Sequence, residues 1–162
     1  MVRKTFFYFL LAQSVLSTQC GKKTEQPAPP PKNTDPSRCV MQDVGEASDF
    51  VMQKNIVDDR MVRVHGLTYP QSLVWRDEDT GKTFYLARIM GTEQKLFFLK
   101  EVPDEAPAPG VSSEVAGRLV RWDRLPVAQA RHMASGLKSE YNVNVVPNQA
   151  FLIIAGRKPD GC

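Results

Sequence analysis

The chain has 162 residues, a length for one domain. Its 42% hydrophobic and 24% charged residues exclude a disordered chain, a polytopic membrane protein and a collagen-like or repeat fibre. The net charge of +3 falls to about +1 once Arg3 and Lys4, in an acid-free start, are set aside, and so small an excess argues against a nucleic-acid partner.

Residues 1–19 read as a signal peptide. Arg3 and Lys4 give a positive start, and residues 6–16 (FFYFLLAQSVL) give a short apolar run. That run is about half of the roughly 20 residues that span a bilayer, so it does not predict a permanent transmembrane helix. A core helix would carry a polar face, and residues 6–12 carry none.

Cys20 follows the apolar stretch, and Gly21, Lys22 and Lys23 open a polar segment. This start resembles that of bacterial lipoproteins, in which the leader is cut before a cysteine that becomes acylated. The resemblance covers the first twenty or so residues. It implies lipidation of Cys20, a membrane anchor through that lipid and a cell-envelope location. Gln19 stands where the lipobox has Gly, Ala or Ser, and Leu16 stands one residue early. Ordinary secretory cleavage after Ser17, with Val15 at the −3 position, is the alternative, and an uncleaved anchor is a third.

Residues 20–38 form the expected tether. Beyond Cys20 they contain no large apolar residue to offset the entropy of ordering. Residues 27–31 (PAPPP) favour extended polyproline conformation at about 3.1 Å per residue. Lys22 and Lys23 would lie near lipid headgroups. A plain solubilising linker is the simpler reading.

With Cys20 acylated, Cys39 and Cys162 remain, one at each end of a domain spanning 39–162. Export to an oxidising compartment then predicts a disulfide between them, and two free thiols are the alternative. No CxxC motif and no metal-ligand spacing is present, so neither redox catalysis nor a metal is expected, and no cofactor is implied.

Within the domain, residues 49–57 predict a short helix or turn. Residues 60–66 alternate, with Val62 and Val64 on one side and Arg63 and His65 on the other, and predict a half-buried strand. Residues 72–76 and 82–89 predict strands flanking an acidic, Gly-containing hairpin turn, and 95–100 predicts the next strand. Residues 103–113 are Pro-rich and predict a loop. Residues 114–122 predict a strand. Residues 126–141 predict a helix, with Pro126 in its first turn and an apolar stripe of Val127, Ala130, Ala134, Leu137 and Tyr141. Residues 143–146 predict a short strand, and the apolar run 150–155 predicts a central strand buried on both faces. The fold class is α+β: a small antiparallel sheet or partly open β-barrel with one amphipathic helix before the last strands. The strand at 61–66 (MVRVHG) and the following meander resemble the start of an OB-type barrel.

Candidate chemistry is sparse. His65, on a polar sheet face, is a candidate base or ligand contact, against a plain solvated residue. His132 lies on the helix, and neither histidine sits in a recognisable nucleophile motif. Asp77, Glu78 and Asp79 offer oxygens for Ca²⁺ but lack the spacing of a calcium loop, so an acidic hairpin tip is the simpler reading. Arg118, Arg121 and Arg124 around Trp122, with Arg131 further on, suit phosphate or carboxylate contacts. Trp75, with Tyr69 and Tyr85, would add an aromatic surface. Edge charges around a core Trp122 are the competing reading. The residues thus point to a non-enzymatic envelope lipoprotein that binds a protein partner or helps assemble a membrane complex. The alternatives are a small-ligand or glycan binder, or an envelope hydrolase.

Overall fold

The computed structural model describes residues 35–77, 80–103 and 110–162. The predicted leader, Cys20, Glu78, Asp79 and most of the predicted tether lie outside the described residues. A 3-10 turn, Pro36–Cys39, comes first, with the Asp35 carboxylate accepting from the Ser37 N–H at 2.9 Å. Then follow β1 (Gln42–Glu46), α1 (Ala47–Val51), β2 (Arg60–His65), β3 (Leu73–Arg76), β4 (Thr83–Arg88), β5 (Leu96–Val102), β6 (Glu114–Arg121), α2 (Val127–Tyr141) and β7 (Phe151–Ile154). The architecture is α+β, as the sequence predicts.

The seven strands form one open sheet in the order β1-β2-β6-β7-β5-β4-β3. The sheet is mixed: β1 runs parallel to β2, β5 runs parallel to β7, and the other pairs are antiparallel. One isolated bridge, Thr68 to Ile89, ties the β2–β3 connection to the end of β4.

Both faces of the sheet are covered, and this explains the apolar runs. In β7, Phe151 and Ile153 join the core under α1, while Leu152 faces the core under α2. In β5, Leu96 and Phe98 point to the first core, and Phe97 and Leu99 to the second. A strand covered on both sides loses the polar alternation of a half-exposed one. Burying each such large side chain is worth about 1.5–3 kcal/mol. The first core is closed by Ala47, Phe50 and Val51 of α1. The second is closed by Met133 and Leu137 of α2, with Trp122 set edge-on to Phe97 at 5.1 Å between ring centroids.

Three expectations need correction. Pro126 caps α2 from outside rather than sitting in its first turn, and Val127 is exposed while Met133 is buried. The stripe is therefore rotated toward Met133. Residues 143–146 form no strand. The helix ends on Asn142 in the left-handed conformation, with φ 53°, and Val143 is tucked into the second core. Val146 then accepts backbone bonds from Gln149 and Ala150 at 2.9 and 3.0 Å, a turn that feeds β7. β6 and β5 already flank β7, so no central edge is open to a further strand. Finally, β1 went unpredicted because it is polar (QDVGE), carries Gly45 at φ 76° and occupies a sheet edge, where exposed side chains are normal.

Cys39 and Cys162 are joined in a disulfide. Beside it Arg38, only 8% exposed, donates to Asp59 at 2.6 Å and to the carbonyl of Asp160. Arg118 donates to the other oxygen of Asp59 at 2.8 Å. The two ends of the domain are thus clasped covalently and ionically. A disulfide is compatible with export, and no helix among the described residues is long and apolar enough to cross a membrane.

Candidate ligand groove

A half-open groove of about 520 Å³ lies at one end of the sheet, within the range of small-molecule sites. Sheet register builds its floor. β6 ends at Arg121, β7 begins at Phe151 directly opposite it, and β5 begins at Leu96 on the other side of Phe151. Lys95, one residue before β5, accepts the N–H of Phe151 on its carbonyl at 2.7 Å. Phe151 is therefore flanked in the sheet by Arg121 of β6 and by Leu96, next to Lys95, of β5. The segment after α1 forms a second wall, with Val51 and Ile56 apolar and Gln53, Asn55 and Lys54 polar. The turn before β7 supplies Asn148 and Gln149.

The charged side chains of the lining are all cationic. Lys54, Lys95 and Arg121 line the groove, and no carboxylate does. Arg121 is held by Asp123, Nε to Oδ1 at 2.7 Å, and this bond favours its charged form. Lys95 meets the exposed Glu93 at 3.0 Å. No ionic or hydrogen-bonded partner of Lys54 is found among the described residues. Four carboxamides (Gln53, Asn55, Asn148 and Gln149) supply donors and acceptors together, which suits hydroxyl or amide groups on a ligand.

Of the residues singled out from sequence, only Arg121 lines this groove. The others are dispersed. Trp122 is 1% exposed, in the second core, and offers no face to a ligand. Trp75 stacks on Phe84 at 5.5 Å and tilts against His132 at 6.0 Å. Arg118 belongs to the terminal clasp, and Arg124 reaches Asp58 at 4.0 Å. Tyr85 is buried, and Tyr69 lies under the guanidinium of Arg88 at 4.1 Å. Asp77 accepts the Thr80 N–H at 3.3 Å. Among the described residues, no three His, Cys, Asp or Glu side chains gather as metal ligands.

His65 pairs with Asp43 at 3.0 Å, tying β2 to the edge strand β1. The Asp43 hydrogen bond and charge raise the imidazole above its ordinary 6.5, with Glu114 and Glu46 adding to the effect. The His65 hydrogen bond, then the Gly45 N–H, hold the Asp43 carboxyl below its ordinary value, with Arg63, which faces Glu114 at 3.1 Å, adding least. A raised folded-state value means that the His65 contribution is complete below the unfolded pKa. It is lost as pH rises through the folded pKa. Proton NMR titration should place the His65 midpoint above that of a free imidazole, and Asp43→Asn should return it toward the free value. An unshifted midpoint in the parent protein would remove the pair.

No family model, curated protein or solved structure matches this chain.

Proposed function

We propose that this chain is an exported cell-envelope lipoprotein, a lipid-anchored and tethered module that binds a protein partner or helps assemble a membrane complex without catalysis. The observation that carries this reading is the pairing of the cysteines. Cys39 and Cys162 are joined. Cys20 is left over, directly after the apolar leader, where the lipoprotein pattern puts its acyl chains. A single acyl chain binds a membrane only marginally, so an anchor of this kind draws on several chains. The sheet domain would then stand off the bilayer on the Pro-rich stretch.

The test is fatty-acid labelling of the full chain in a bacterial host that processes lipoproteins. The parent should take up an alkyne fatty acid and fractionate with membranes. Cys20→Ala should lose both the label and the membrane association. An unlabelled chain beginning at Thr18, released to the medium or periplasm, would overturn the anchor.

A second reading, a small-ligand or glycan-binding exported domain, is favoured by one specific observation: the groove, lined by three cations, four carboxamides and apolar side chains.

A further inference from the structure

We propose that the groove at the head of β5 and β7 binds a small organic anion, a carboxylate or phosphate carried on a hydroxyl- or amide-bearing scaffold. The proposal deepens the ligand-binding reading and is independent of the lipid anchor. Three features carry it. First, three cations and no carboxylate line the groove, Lys54 on one wall and Lys95 and Arg121 on the floor; the acids that Lys95 and Arg121 meet, Glu93 and Asp123, stand outside the lining, and Lys54 meets none among the described residues. Second, the cations come from three separate chain segments, brought together by strand register across β6, β7 and β5 and by the post-α1 segment that faces them. Third, the carboxamides stand on two different walls, Gln53 and Asn55 against Asn148 and Gln149, so a ligand between them would be held through hydroxyls or amides on both sides.

Ile56 and the exposed Val57 give the non-polar part of a sugar ring or acyl amide an apolar surface. The volume suits a small molecule, and the near-neutral domain gives no field for a long polyanion.

Asp123 has a defined role in this scheme. It occupies the Nε of Arg121 at 2.7 Å and leaves the terminal guanidinium nitrogens to a ligand. It also places a negative charge beside the site, so it competes with an incoming anion. Removing that charge should strengthen anion binding, an effect opposite to that of removing a groove cation.

Isothermal titration calorimetry on the full-length protein, purified in detergent, tests this with D-glucuronate, glycerol phosphate, inorganic phosphate and D-glucose. Saturable binding of glucuronate or of glycerol phosphate is expected, and the stronger of the two identifies the anionic group. Glucose should bind at least about ten-fold more weakly, since a charge-assisted contact is worth at least that factor. Lys54→Ala, an exposed change that should leave folding intact, should weaken the anion about ten-fold, and Asp123→Asn should strengthen it several-fold. Glucose binding as well as glucuronate would overturn the anionic class while leaving the groove a ligand site. Inorganic phosphate binding as tightly as glycerol phosphate would overturn the role of the carboxamides. No binding of any probe, or an unchanged affinity in Lys54→Ala, would overturn the proposal.

Discussion

Gly117→Ala should destabilise the domain by about 3 kcal/mol, near the upper end of the usual cost of overpacking a core. Gly117 lies inside β6 between Val115 and Leu119, both fully buried. A methyl group on its α-carbon would meet the carbonyl oxygen of Ile154. It would also lie 2.6 Å from the carbonyl carbon of Ile154 and 3.0 Å from the nitrogen of Ala155. These are backbone atoms, so no rotamer change can relieve the contact. They are also pinned: Ala155 donates to the Leu99 carbonyl at 2.8 Å, and Ile154 is in register with Arg118. The φ of Gly117 is not in the left-handed region, so the glycine is required for space and not for conformation. Relief would come only by parting β6 from β7, the pairing at the centre of the sheet. Urea denaturation should show the loss as a lower midpoint. Gly110→Ala, where an added methyl meets nothing within 4 Å, should stay within about 0.5 kcal/mol of the parent and serves as the control. A Gly117→Ala midpoint equal to that of the control would refute the close approach.

That glycine shows what kind of information one sequence holds. A glycine inside a β-rich run signals a close backbone approach, but nothing local says to which backbone. The same division runs through the whole fold. Period-two and continuous apolar runs located β2, β4, β5, β6 and β7 because each buries at least one face, and burial leaves a local trace. β1 left no such trace, being a polar edge strand. Residues 143–146 carried a false one: Val143 does point inward, but into the gap beneath α2 and not into a ladder. The parallel pairing of β5 with β7 was equally invisible, since the chain between them passes through β6 and α2. The groove was the least legible feature of all. Lys54, Lys95, Arg121 and Gln149 are spread over nearly a hundred residues, and only strand register together with the post-α1 segment and the turn before β7 makes them neighbours. Charges close in the chain are what a sequence makes visible. Arg118, Arg121 and Arg124 are close in that sense, yet they serve the clasp, the groove and Asp58 separately. The disulfide was legible because covalent pairing of the two remaining cysteines needs no register.

Removing that disulfide should have the largest effect of any change considered. Cys39 and Cys162 are 123 residues apart in sequence, so the bond closes almost the whole domain into one loop. The chain-entropy model assigns a loop of that length about 5 kcal/mol, an upper-end value because a real denatured chain retains some compactness. Domain stabilities lie at about 5–15 kcal/mol, so a loss of this size leaves a reduced domain near its unfolding limit. The ionic clasp adds to the dependence. Arg38 precedes Cys39 directly and sits at 8% exposure on Asp59 and the Asp160 carbonyl. Once the covalent tie is cut, fraying at either end separates Arg38 from partners that compensate its buried charge, and a buried charge without a partner is costly. The Cys39→Ser, Cys162→Ser double variant should therefore unfold at markedly lower urea than the oxidised parent, and the parent treated with a reductant should match the double variant. A difference below about 1 kcal/mol would mean that the sheet alone carries the stability and that the bond is incidental. The expected large difference ties the fold to its compartment. A chain held in a reducing environment would reach the folded sheet only in part, and an oxidising one would complete it, so the bond that closes the domain also restricts where the fold is complete.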